Sequence, residues 1–209
     1  MTPERRTTAR ADSPAPRETM SFEEFLEATA DRWAEWVDGE VILMSAVNAP
    51  HDDMVGFLYT LLRLHADHHG GRALKEPFVM KTGPGLPGRS PDVFFVAREH
   101  VDRVTRGCLR GPADVVIEVV SPESRKRDRE EKLVEYERGG VREFWLIDPE
   151  RREAEFHVLD EDGRYRRVAL DAGGVFRSAV LEGARFRTEW LRGEPLPAVL
   201  SVAREWGLV

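Results

Sequence analysis

The feature that most constrains this chain is the stretch from Ala113 to Pro149, ADVVIEVVSPESRKRDREEKLVEYERGGVREFWLIDP. Its first part, Asp114 to Val120, is β-branched and apolar apart from Asp114 and Glu118, the signature of a buried strand. Alternation sets Asp114, Val116, Glu118 and Val120 on one face and Val115, Ile117 and Val119 on the other. A carboxylate in the middle of such a run is costly to bury unless a metal or a cation neutralises it. Glu118 is therefore the residue from which function can be read.

Ser121-Pro122 ends the strand and fits the Ncap and N1 positions of a following helix, with Ser124 as the other candidate cap. Leu133 and Tyr136 mark the buried side of that helix, and Gly139-Gly140 stop it. Asp128 and Lys132 lie one turn apart on the flank of the apolar stripe. Lys132 can thus rest on the sheet while its ammonium reaches past the edge. Glu143 to Asp148 is a second buried run, which completes a βαβ unit with parallel strands and a right-handed crossover.

Upstream, Ser90-Pro91-Asp92-Val93-Phe94-Phe95-Val96 predicts a strand that begins with a carboxylate. A Pro-Asp at one strand start, a mid-strand Glu on the next and a lysine on the helix resemble the PD-(D/E)XK nuclease pattern. The whole chain resembles one group within it, the bacterial putative restriction endonuclease domain family. The resemblance is carried by Asp38-Gly39-Glu40, Met44-Ser45, His51, Pro91-Asp92, Glu118-Val119-Val120-Ser121-Pro122, Arg127-Asp128, Lys132-Leu133 and Trp145-Leu146-Ile147-Asp148-Pro149, in that order. It covers about residues 20 to 190. The parent motif has its lysine two residues after the Glu, where this chain has Val120; the resemblance is to variants whose lysine has moved to the next helix, here Lys132.

The resemblance implies an α/β protein of restriction-endonuclease-like fold, with a central mixed β-sheet flanked by helices and an added antiparallel C-terminal β region. It implies a metal-dependent endonuclease that hydrolyses phosphodiester bonds in DNA and leaves 5′-phosphate ends. Mg²⁺ or Mn²⁺, hard cations that prefer oxygen, would sit on Asp92 and Glu118, with the Val119 carbonyl as a third ligand. Lys132 would position or deprotonate the attacking water. Glu40 lies near the active site in this family, as an auxiliary ligand or an exposed turn carboxylate. His51 matches a family position and would contact substrate phosphate or the acids, or merely cap its helix.

Composition sets limits around this reading. The chain has 209 residues, enough for one α/β domain over 20–209 behind a disordered leader at 1–19 that holds arginines and prolines but no large apolar residue after Met1. A single cysteine, Cys108, excludes an intrachain disulfide and a cysteine-based zinc site and fits a cytoplasmic, reducing setting. No stretch has the apolar length of a membrane span. The net charge of −7 argues against a general nucleic-acid coat protein. A nuclease needs only a local basic patch, and Arg125 and Arg127, with Arg103, Arg106, Arg110, Lys126 and Arg129, are the densest supply. The plainer alternative is solvated charge balanced by Glu123, Asp128, Glu130 and Glu131.

Along the rest of the chain, Ser21 to Glu24 predicts a capping box. Trp36 to Met44 predicts a hairpin across Asp38-Gly39, and Pro50 to His69 a helix. His65 and His69 have the spacing of a metal pair, though two histidines in a helix's last turn more often serve its carbonyls. Arg72 to Thr82 reads as one strand, and GPGLPGRS as a flexible lip beside the site. Glu153–Leu159 and Tyr165–Leu170 flank an Asp162-Gly163 turn, and Val180–Phe186 is a further β segment. The partners expected are DNA, with RNA or branched nucleic acid as variants, and a second copy of the chain, so that a homodimer addresses two strands. The competing reading is a non-catalytic nucleic-acid-binding or assembly protein on a nuclease scaffold, since fold does not fix function.

Overall fold

The computed structural model describes residues 19–30, 32–44, 48–193 and 195–209. The leader expected over 1–19 therefore lies, apart from Thr19, outside the described residues, as does Ser45. In chain order the elements are α1 (Phe22–Ala28), β1 (Ala34–Val37), β2 (Glu40–Leu43), α2 (Ala49–His69), β3 (Arg72–Lys75), β4 (Val79–Lys81), β5 (Gly88–Arg89), β6 (Val93–Val96) and β7 (Cys108–Arg110). They continue with β8 (Val115–Val119), a π-helical turn at Arg127–Lys132 running into α3 (Leu133–Gly139), β9 (Glu143–Asp148), β10 (Glu153–Leu159), β11 (Tyr165–Arg167), β12 (Val175–Arg177), β13 (Arg185–Arg187) and α4 (Val199–Glu205).

The central sheet has six strands in the order β11-β10-β9-β8-β6-β3. Only β8 and β9 pair in parallel, as the crossover through α3 requires; the other neighbours are antiparallel. A second sheet, β2-β1-β5-β4-β7, is also mixed, and β12-β13 form an antiparallel pair. This is the mixed α/β fold with an antiparallel C-terminal extension that the sequence led us to expect. Among the described residues no helix is long and apolar enough to cross a membrane.

The alternation along β8 divides the core as read from the sequence. Val115, Ile117 and Val119 join Trp145 and Ile147 against Met54, Leu58, Leu61 and Leu62 of α2. On the opposite face Val116 and Val120 join Phe144 and Leu146 against Met80, Leu109 and Tyr136. Asn48 caps α2, its side chain accepting from the His51 N–H at 3.0 Å, with Pro50 in the first turn. The buried face of α2 thus fixes where its first turn, and His51 with it, comes to rest over the sheet.

Three expectations need correction. Arg72 to Thr82 is not one strand: β3 pairs with β6 in the central sheet, and β4 pairs with β5 and β7 in the other. Pro77 has no N–H for a ladder, and the chain changes sheets there. GPGLPGRS is not a lip, because Gly88 and Arg89 form β5 and are buried between β1 and β4. Within Val180–Phe186 only Arg185 and Phe186 are extended, since Ser178 to Ala184 folds back on itself through Ser178 N–H to the Ala184 carbonyl.

Gly71, at the turn from α2 into β3, is held at φ +100°, and an added Cβ would meet the Val96 carbonyl oxygen at 2.6 Å and the Phe95 ring at 2.7 Å. Gly71→Ala is expected to lower the unfolding free energy by about 1–3 kcal/mol. The measurement is urea denaturation, where the midpoint should fall at constant slope.

Candidate active site

The register of β6 on β8 pairs Val93 with Ile117, so one step further Asp92 stands opposite Glu118. Two carboxylates on facing positions repel one another unless positive charge is placed between or beside them. Both line a cavity of about 510 Å³, together with Val119, His51, Arg127, Asp128, Lys132, Trp33, Leu43 and Met44. A wider groove of about 1050 Å³ adjoins it and shares Asn48 and His51.

Asp92 is fixed at the end of its strand by the Val119 N–H, which donates to Oδ2 at 2.6 Å. The His51 Nε2 lies 3.3 Å from the same oxygen. Burial of the imidazole works against its protonation, but the hydrogen bond to Asp92 and the charges of Asp92 and Glu76 outweigh it, and the His51 pKa is raised. The Nδ1 atom of His51 is buried with no hydrogen-bond partner.

Glu118 is the deepest acid. Its Oε1 accepts from the Tyr136 hydroxyl at 2.7 Å, and Lys132 Nζ lies 2.9 Å from Oε2. Burial pushes the Glu118 pKa up, with the neighbouring charges of Asp92 and Asp128 adding to it against the pull of Lys132. Lys132 also reaches Asp128 at 3.3 Å and Glu35 at 3.6 Å. Burial disfavours its ammonium, yet Glu118, Asp128 and Glu35 together hold it protonated, with the pKa raised. The π-helical turn over Arg127–Lys132 is what presents Arg127, Asp128 and Lys132 to one cavity.

The residues expected at the site separate into three groups. Asp92, Glu118, Val119, Lys132, His51 and Arg127 all line the cavity. Arg125 does not line it: its guanidinium lies between Asp148, at 3.5 Å, and Glu150, at 3.1 Å. Glu40 opens β2 at the turn end of the hairpin, opposite Val37, and is likewise not among the lining residues. His65 and His69 stack ring on ring with centroids 4.4 Å apart, an arrangement of packing. Burial and the neighbouring His69 push the His65 pKa down to about 4.

Several members of the site were not legible beforehand. Glu35 of β1 is fully buried, and Arg89 of β5 donates to it at 2.9 Å while gripping Glu135 with two bonds of 2.7 Å. An unbroken line of charge thus runs from Glu135 on α3 through Arg89 and Glu35 of the second sheet to Lys132 and on to Glu118 of the first. Burial opposes ionisation of Glu35, but Lys132 and Arg89 outweigh it and its pKa is lowered. Glu76, just after β3, is the other hidden acid: burial and the charge of Asp92 raise its pKa, and one carboxylate oxygen is buried without a hydrogen-bond partner. The sequence signal for Glu35 was an acid in the short run Ala34–Val37, too short to mark as buried.

The donor set fits a hard divalent cation. Glu118 is a buried acid with a raised pKa opposite a second acid, and Asp128 Oδ1 is buried without a hydrogen-bond partner. Added positive charge would relieve both. Among the described residues no group of three His, Cys, Asp or Glu side chains converges as a ready cage. Two carboxylates completed by main-chain oxygen and water are the kind of shell that Mg²⁺ favours.

Comparison with known proteins gives a family and a similar fold. A family described as "putative restriction endonuclease" matches residues 22–189. The crystal structure of a putative nuclease belonging to DUF820 from Anabaena variabilis is similar with a TM-score of 0.66, covering 82% of this chain and 97% of that one at 16% identity. No curated protein matches the chain.

Proposed function

The chain belongs to the putative restriction endonuclease family, and from that premise we propose that it is a Mg²⁺- or Mn²⁺-dependent endonuclease that hydrolyses phosphodiester bonds in DNA. One observation carries the reading: Asp92 and Glu118 face each other across two strands in a cavity, with Lys132 2.9 Å from the inner acid. A structural ion pair needs one acid per base, and here the acids outnumber the ammonium.

In this reading Asp92 and Glu118, with the Val119 carbonyl, hold the metal. When bound, the metal supplies positive charge at the phosphoryl oxygen and makes water a better nucleophile at neutral pH. Lys132, kept protonated by three acids, is unsuited to removing a proton; it holds water by donation and balances charge growing at phosphorus. His51 steadies the Asp92 carboxylate from α2. Arg127, whose buried Nε lacks a partner, is the cavity's donor to a phosphate oxygen. Arg125, already paired with Asp148 and Glu150, contributes at most to the wider field.

The test is nicking of supercoiled plasmid with Mg²⁺ or Mn²⁺ and with chelator. Metal-dependent nicking that survives purification unchanged supports the proposal. Its absence across DNA and RNA substrates transfers the weight to a non-catalytic nucleic-acid-binding role. A pH series adds a second check. Cation binding needs Glu118 ionised, and its pKa is raised to about 8; below that pH the metal must displace a proton. Mn²⁺ affinity by calorimetry should therefore climb from pH 6 to pH 8, by about tenfold per unit at most, and flatten above. A flat profile across that range would count against Glu118 as a ligand.

A further inference from the structure

The geometry points to an unpaired nucleotide of a single strand as the substrate, stacked on Trp33 inside the cavity. This rests on the nuclease reading and specifies which nucleic acid the same site takes. The reacting groups are recessed, with Asp92 8% exposed, Lys132 2% and Glu118 1%. A phosphate reaches them only by entering a cavity of about 510 Å³. That volume is in the range of small-ligand pockets and has room for one nucleotide. An enzyme that must bring a nucleotide so deep extrudes it or begins with a single strand.

The wall chemistry agrees. Besides its polar groups the cavity is lined by Trp33, Leu43 and Met44, with Leu43 61% exposed. The indole Nε1 of Trp33 is buried and has no hydrogen-bond partner. Electrostatics supply little of the grip. The chain carries a net charge of −7, Arg125 is tied to Asp148 and Glu150, and Arg129 is tied to Asp148, Glu153 and Glu155. Cations already paired within the protein gain little from counterion release, which leaves Arg127 to meet a phosphate. Stacking adds affinity beside that contact, and an unpaired base is free to offer its face to the indole.

The experiment uses one 5′-fluorescein-labelled oligonucleotide, as a single strand and annealed to its complement, with wild type, Trp33→Ala and Trp33→Phe. Cleavage is followed with Mn²⁺, and binding by anisotropy with Ca²⁺. The single strand should be cut at least tenfold more efficiently than the duplex. Trp33→Ala should raise KM for the single strand about tenfold with kcat little changed, and Trp33→Phe should recover most of the loss. Equal cleavage of duplex, or a KM indifferent to Trp33→Ala, overturns the inference and leaves the nuclease reading standing. If neither substrate is cut, the nuclease reading falls and anisotropy decides. Single-strand binding that depends on Trp33 upholds the inference, and equal binding of both forms, or binding indifferent to Trp33, overturns it.

Discussion

Glu118→Ala is expected to abolish metal-dependent nicking, lowering the rate by about a thousandfold or more. The side chain stands at the centre of β8, opposite Asp92 and 2.9 Å from Lys132. Its removal takes half of the carboxylate pair and one of the groups that orient the ammonium. The same change relieves a buried acid whose ionisation burial opposes. The fold should therefore tolerate it better than the chemistry does, and circular dichroism should show native secondary structure. Nicking equal to wild type would mean that the activity belongs to another site or another protein.

Lys132→Met has the second large effect, and it falls on stability as well. The ammonium is 2% exposed and is shared among Glu118, Asp128 and Glu35, the last also bonded to Arg89. Deleting it leaves buried carboxylates without their cation, a loss on the order of 3–5 kcal/mol. Urea denaturation at neutral pH gives the measure. The double variant Lys132→Met with Glu118→Gln restores the balance on one partner and should regain part of that loss without regaining nicking. A single variant as stable as wild type would show that the cluster is neutralised by other means, and the lysine's place in the chemistry would have to be argued afresh.

The central sheet was legible because its strands are β-branched runs closed by Gly, Pro and Ser, and because β8 and β9 are joined by a capped helix of fitting length. The same runs placed Asp92, Glu118 and Lys132, whose relation depends on local alternation and one crossover. Of the second sheet only the hairpin of β1 and β2 across Asp38-Gly39 was legible. Its other strands have two or three residues, and β1 meets β5, and β4 meets β7, over long separations. Glu35 meets Arg89 across 54 positions of sequence, and no periodicity in either neighbourhood points to the other. Glu76 was hidden for a related reason: it lies where the chain leaves one sheet for the other, in a run that reads as a continuous strand. Trp33 lies beyond the end of α1 and before β1, in a stretch with no periodicity of its own.

The line of charge from Glu135 through Arg89, Glu35 and Lys132 to Glu118 crosses from one sheet to the other. Its members are therefore not free to vary one at a time. A neutral residue at any link strands its neighbour in a region that water hardly reaches, so tolerated change must come in compensating pairs. Three stretches of the polypeptide, around Glu35, around Arg89 and from Glu118 to Glu135, share a single electrostatic ledger. In descendants of this chain, drift at Arg89 should be followed by drift at Glu35 or Glu135 long before it touches Asp92.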